Sequence, residues 1–297
     1  MKKKYLIAVL ALVFNLTVAC IDLKIGGFTL KSKDVKSAYN IVEAGVEAAK
    51  TFTPSQEHYI GRSVAANLLA QYKPYDKGGL NVYLNTLGQF LATCSDRPET
   101  FGGYHFLAIE SDELNAFAAP GGFILVTTGL IKSCTSEDQL AAVLAHEVSH
   151  VCHRHGIKSI DKSRLTNFGV VFMKEAASHL GSPEFASLVD SFSGIIDNVS
   201  QTLVNTGYSR AYEEEADIST VILLRRTGYD VKAAEDMLKH LESHHVEGGL
   251  GLTRTHPHPK DRLKSIEEEL SKSHPGYVVS LARNKRFRDQ MLKSGLK

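Results

Sequence analysis

From Val35 onward the apolar residues Val35, Ala38, Ile41, Val42, Val46 and Ala49 recur every three or four positions. That spacing places them on one face of a helix. The same period returns in Ile60, Val64, Leu68 and Leu69, and again in Leu80, Tyr83, Leu84, Leu87 and Leu91, so the first third of the chain is expected to be helical. Then the pattern changes. Residues 104–110 (YHFLAIE) and 123–127 (FILVT) are short β-rich runs, separated by SDELNAFAAPGG with its Pro-Gly-Gly turn signal. They predict a small sheet.

Helical signals dominate the remainder. Ser136-Glu137-Asp138-Gln139 has the form of a capping box, with Ser136 as N-cap and Gln139 at the third helical position, and it opens a helix expected to end near Gly156. Amphipathic patterns follow from Ile157 to about Val204, broken near Gly181-Ser182-Pro183. Further helices are expected over 209–226, stopping at Gly228, and over 231–242. The segment GGLGLTRTHPHP then carries the richest loop signal in the chain, ahead of a charged helix from near Lys260. The chain therefore reads as α+β, predominantly α-helical, with a helical segment over 20–54 and one main domain over 55–297.

Composition excludes some roles. With 297 residues, 43% hydrophobic content and 34 basic against 33 acidic residues, the chain can bury a core, and no nucleic-acid partner is expected. The N-terminus has more to say. Lys2, Lys3 and Lys4 precede an apolar run from Tyr5 to Val13 and then Leu16-Thr17-Val18-Ala19-Cys20. This predicts a signal peptide over 1–19, too short to span a bilayer, which needs about 20 apolar residues. Small and aliphatic residues before Cys20 resemble the bacterial lipobox, so Cys20 is expected to carry a lipid, a plainly cleaved signal being the alternative. That leaves Cys94, Cys134 and Cys152, which cannot all pair within one chain. A Cys94–Cys134 disulfide is open, and Cys152 is read as a buried free thiol.

The chemistry concentrates in His146-Glu147-Val148-Ser149-His150. Two histidines four apart on a helix share a face and can grip one ion, while Glu147 projects beside them as a general base. A catalytic zinc site takes a third protein ligand. The helix over 209–226 supplies it in SRAYEEEAD, where Glu213 and Asp217 share a face: one can bind metal and the other orient a ligand histidine. Glu214 and Glu215 are expected to point elsewhere. His153, His155, His244, His245 and His258 lack the spacing and are read as exposed or structural.

HEVSH followed by YSRAYEEEAD resembles peptidase family M48, the gluzincins that include HtpX-like proteases and periplasmic relatives. SDELNAFAAPGGFILVTTGLI resembles that family's strand-turn-strand before the zinc helix, and RTHPHPKDRL its late His-Pro…Arg motif. The likeness runs from Ser55 to about Ile266. It implies a gluzincin metalloprotease domain with a small sheet packed beside the zinc-binding helix. One Zn2+ would be held by His146, His150 and Glu213, with Glu147 as base and Asp217 behind His146. Asn115, Ala116 and Phe117 would form an edge strand that binds extended polypeptide substrate by β-addition. His256 would either stabilise the developing oxyanion or gate the metal, and Arg262 would anchor its loop.

The implied function is endopeptidase action, by metal-activated water, on misfolded or misassembled proteins of the bacterial cell envelope. The implied location is periplasmic and membrane-anchored through Cys20, with the outer membrane favoured because Ile21 stands where inner-membrane retention uses aspartate. The rival from another class is an assembly factor whose metal is structural and closed by a fourth ligand.

Overall fold

The computed structural model describes residues 23–25, 28–30, 52–160, 183–243, 255–256, 259–272 and 280–297. They fall into two units, one formed by 1–51 with 165–188 and the other by 52–164 with 189–297. In the first, β1 (Leu23–Ile25) and β2 (Phe28–Leu30) pair antiparallel, with Leu23 opposite Leu30. Strand therefore occupies the start of the 20–54 segment expected to be helical. Gly26-Gly27 between two short apolar-alternating runs is a two-residue hairpin signal. The signal peptide, Cys20 and the helical pattern from Val35 lie outside the described residues.

The second unit opens with α1 (Pro54–Gln71), whose Thr53 side chain and Gln56 form a reciprocal capping box with proline in the first turn. After β3 (Lys73–Pro74) comes α2 (Leu80–Thr93), then β4 (His105–Glu110), β5 (Ala116–Ala119) and β6 (Phe123–Thr127). The sheet runs β3-β4-β6-β5: β4 is parallel to β6, and the outer pairs are antiparallel. The turn between β5 and β6 needs its glycines, because Gly121 (φ 74) and Gly122 (φ 103) are both left-handed.

Next come α3 (Thr128–Ser133), α4 (Glu137–Cys152), a single turn α5 (His155–Lys158) and α6 (Pro183–Gln201), which belongs to this unit from Val189 onward and runs into a π-turn over Thr202–Thr206. The chain ends with α7 (Arg210–Thr227), α8 (Lys232–Ser243), α9 (Pro259–Ser271) and α10 (Leu281–Ser294). Helix α4 is the axle, packing against α7, α2, α8, α10 and the edge strand β5. Its Leu140, Ala141, Leu144, Ala145 and Val148 are wholly buried. Such all-round burial needs partners on every face, which explains why the sheet and helices gather around it.

Two expectations change here. Helix α4 stops at Cys152, not near Gly156, because Arg154 turns left-handed (φ 58). Its guanidinium forms an ion pair with Glu57 at 3.0 Å and donates to the Phe52 carbonyl at 2.8 Å. Buried Glu57 also accepts both arms of Arg97, at 2.8 and 3.1 Å. Left-handed backbone costs a non-glycine residue roughly 1–2 kcal/mol, which these contacts offset. The second change concerns the thiols: Cys94, Cys134 and Cys152 are all free. Cys134 is sealed in the core, where burial pushes its thiol up to about 12 and the S–H donates to the Leu130 carbonyl at 3.4 Å. Cys152 is only half-buried, 3.8 Å from the Tyr104 hydroxyl.

Candidate metal centre

Helix α4 starts where its sequence says it should. The Ser136 hydroxyl accepts the Gln139 N–H at 3.2 Å, while the Gln139 side chain reaches the Thr135 N–H at 2.8 Å, one residue short of a full capping box. Two and a half turns later His146 and His150 stand one above the other, their ring centroids 4.6 Å apart. Helix α7 is capped by Ser209 and delivers Glu213 from its first turn, fully buried against α4. The fourth member, His256, arrives from the turn before α9.

Single donor atoms of His146, His150, Glu213 and His256 all lie within 4.8 Å of one another. The individual separations are 3.0 Å (His146 Nε2 to His150 Nε2), 3.4 Å (His146 Nε2 to His256 Nδ1) and 2.9 Å (His256 Nδ1 to Glu213 Oε1). His146 Nε2 and His150 Nε2 are each 3.4 Å from a Glu213 oxygen. A tetrahedral zinc with ligand bonds near 2.0–2.1 Å spaces its donors roughly 3.3 Å apart. The cage has zinc's size and zinc's donor chemistry.

Charge is arranged to match. Burial works against ionisation of Glu213, but His256 and Arg262 outweigh it and hold its carboxyl well below the usual range. Burial lowers the His150 imidazole and keeps it neutral, as a ligand must be. At His146, burial is overcome by the Asp217 and Glu213 carboxylates, which raise it to about 9. Glu147 differs from Glu213. Burial raises its carboxyl, and its Oε2 has no hydrogen-bond partner among the described residues. A buried, orphaned carboxylate oxygen beside a metal cage is poised to handle a proton.

Both histidines of the motif are backed. Asp217 Oδ1 lies 3.1 Å from His146 Nδ1, and Arg262 clamps Asp217 with two bonds of 2.7 Å while reaching Glu213 at 2.9 Å and the His256 carbonyl at 3.3 Å. Asp217 thus lies behind His146, and Arg262 ties the His256 turn to both carboxylates. Behind His150 is something that reading missed: His150 Nδ1 lies 2.8 Å from His155 Nδ1, and His155 Nε2 lies 2.9 Å from Glu215 Oε2. His155 is wholly buried, and burial lowers its imidazole to about 4. The five-residue step from His150 crosses the end of α4, so helical periodicity could not show it. His153 is half-buried, bonded to Ser219 at 2.7 Å and to Glu215 at 3.2 Å. His244, His245 and His258 lie outside the described residues.

Residues 80–270 match Peptidase family M48. The chain belongs to peptidase family M48. Within that matched region the His-His-Glu-His donor set fits one zinc ion. It is 29% identical over 248 residues to the beta-barrel assembly-enhancing protease of Yersinia pestis, covering 80% of this chain and 49% of that one. For the Escherichia coli K12 protein of that name the identity is 28% over 250 residues, covering 82% and 50%. The mitochondrial metalloendopeptidase OMA1 of Schizosaccharomyces pombe is 33% identical over 164 residues, covering 52% and 43%. The chain spans about half the length of the curated relatives it matches.

In this M48 domain the strand β5 borders the centre. Its pairing through Asn115 and Thr127 turns the backbone of Ala116 and Ala118 toward the free edge. Two of those groups are occupied: the Tyr208 hydroxyl donates to the Ala118 carbonyl at 3.4 Å, and Asn115 Oδ1 accepts from the Ala116 N–H at 2.9 Å and from Thr255 at 3.0 Å. Phe117 is core, packed on Tyr72, so its side chain offers nothing to a ligand. On the other flank a small cavity of about 40 Å³ is floored by His146 and Glu147 and walled by Val143, Met237, Leu241 and Ile266. His146 is the one donor residue with appreciable side-chain exposure, 13%.

Proposed function

We propose that this chain is a zinc-dependent endopeptidase of the bacterial cell envelope that cleaves misfolded or misassembled proteins, with its resting site gated by His256. The observation that carries this reading is the zinc-sized donor cage with the orphaned Glu147 carboxylate beside it. Zinc bound there would supply Lewis-acid polarisation of the scissile carbonyl. His146, His150 and Glu213 hold the ion, Asp217 and Arg262 fix His146 and Glu213, and Glu147 takes a proton from water and passes it to the departing amine. Extended substrate adds to the Ala116–Ala118 edge after Tyr208 leaves it. An apolar side chain of that substrate enters the pocket walled by Met237 and Leu241, the kind of side chain that misfolded chains expose.

The name of the Yersinia and Escherichia relatives supports an envelope role, since β-barrels of that kind belong to outer membranes. Anchoring through Cys20, a periplasmic site and the outer membrane rest on the N-terminal pattern of Lys2–Lys4, the apolar run and the lipobox-like residues. No described helix is long and apolar enough to cross a membrane. His256 as a fourth donor is the observation that favours the rival, a closed structural metal site.

Cleavage of a reduced, alkylated protein by zinc-loaded wild type, His256→Ala, Glu147→Gln and the double variant decides between them. Expected are cleavage by His256→Ala faster than by wild type, and a loss of about 10²–10⁴-fold on adding Glu147→Gln, with zinc still bound. Slower cleavage by His256→Ala than by wild type would make His256 a catalytic group instead of a gate. Zinc binding with no cleavage by any variant would leave the structural site standing.

A further inference from the structure

His155 and Glu215 contribute no donor atom to the cage, yet they continue it outward. The proton count on His150 fixes how. Bound to metal through Nε2, a neutral imidazole carries its proton on Nδ1. That proton faces His155 Nδ1 across 2.8 Å, so His155 Nδ1 must be the acceptor and its own proton must sit on Nε2. There it meets Glu215 Oε2 at 2.9 Å. The other tautomer of His155 fails twice: it would set proton against proton at His150 and lone pair against carboxylate at Glu215.

The rings cannot turn away from this arrangement. His150 stacks on Tyr208 at 4.4 Å and 19°, and His155 stacks on Tyr212 at 4.4 Å and 10°. Glu215 is held from its other side by His153, which Ser219 holds in turn. The geometry therefore points to a His150–His155–Glu215 relay, in which His155 and Glu215 are positioning residues that lock His150 in its metal-binding tautomer and raise the centre's zinc affinity. It is the counterpart of Asp217 behind His146, built from residues outside the ligand motif. This inference rests on the zinc site proposed above and adds residues to it.

The test is zinc affinity, measured by competition with a chromophoric chelator, together with the visible spectrum of the cobalt-substituted protein. His155→Phe keeps the stack on Tyr212 but offers no acceptor, and Glu215→Leu removes the terminal carboxylate at a position 43% exposed, where folding tolerates the change. Each is expected to weaken zinc about 10–100-fold. His155→Asn places an amide oxygen near the lost Nδ1 and should recover most of that loss and the wild-type cobalt bands. Affinities of His155→Phe and Glu215→Leu equal to wild type would overturn the relay while leaving the zinc site intact. Equal losses in His155→Phe and His155→Asn would also overturn it, because bulk and not the acceptor would then be at work. A wild-type chain that binds no zinc would sink the metal centre itself, a distinct result.

Discussion

Two buried carboxylates, Glu213 and Asp217, share the Arg262 guanidinium, itself almost without exposure. Asp217 resists burial mainly through Arg262, and Glu213 through His256 and Arg262, so both carboxyls fold with values below their ordinary 3.8 and 4.5. A lowered folded value means stability that is present above the unfolded range and lost as pH falls through the folded one. Arg262→Leu strips the counter-cation from both. In the zinc-free protein that should cost about 3–5 kcal/mol at neutral pH, the toll of orphaning a buried charge. With the depressing charge gone, stability should also start to fall at a higher pH than in wild type. Thermal melts of both zinc-free proteins from pH 7 down to pH 3 would show it, and parallel profiles would remove Arg262 from the charge balance.

At the scale of elements, α4 carries two donors and the base, so its first turn sets where they stand. Ser136→Ala removes the acceptor for the Gln139 N–H and should cost about 1 kcal/mol, within the 0.5–2 usual for an N-cap. Urea unfolding with chelator present would measure it, and an unchanged midpoint would show the helix start held by its neighbours instead. Such caps and periods explain why α1, α2, α4, α7 and α8 were legible from the sequence, and why β4 and β6 were. Strand β5 was not legible by pattern: all four residues of Ala116–Ala119 are buried, so no alternation marks it, and only the family likeness suggested an edge there. The end of α4 was misplaced because Arg154 adopts a glycine-like backbone for the sake of Glu57, a partner 97 positions earlier that no local rule reveals. The contacts of His155 were illegible for the same reason: its partners His150 and Glu215 meet it only after the chain turns at Arg154.

Across the whole molecule the cage joins α4, α7 and the turn at His256, with 110 positions separating His146 from His256. An unfolded chain cannot present those donors together, so zinc binding adds to folding stability. At free zinc about 100-fold above Kd the gain is about 2.7 kcal/mol. In the metal-free centre His146, raised to about 9, holds a proton at neutral pH that zinc must displace, so the gain should shrink as pH falls. Glu213→Gln should abolish most of the zinc-dependent rise in melting temperature, because it removes a ligand and the only anionic member of the four. Glu147→Gln should keep all of that rise, since Glu147 is close to the cage without belonging to it: its Oε1 is 3.8 Å from His256 Nε2 and its Oε2 touches no partner among the described residues. Melting curves with zinc and with chelator, at pH 6 and pH 8, separate these roles without any substrate. Loss of the zinc increment in Glu147→Gln would make Glu147 a ligand and leave the centre without its base.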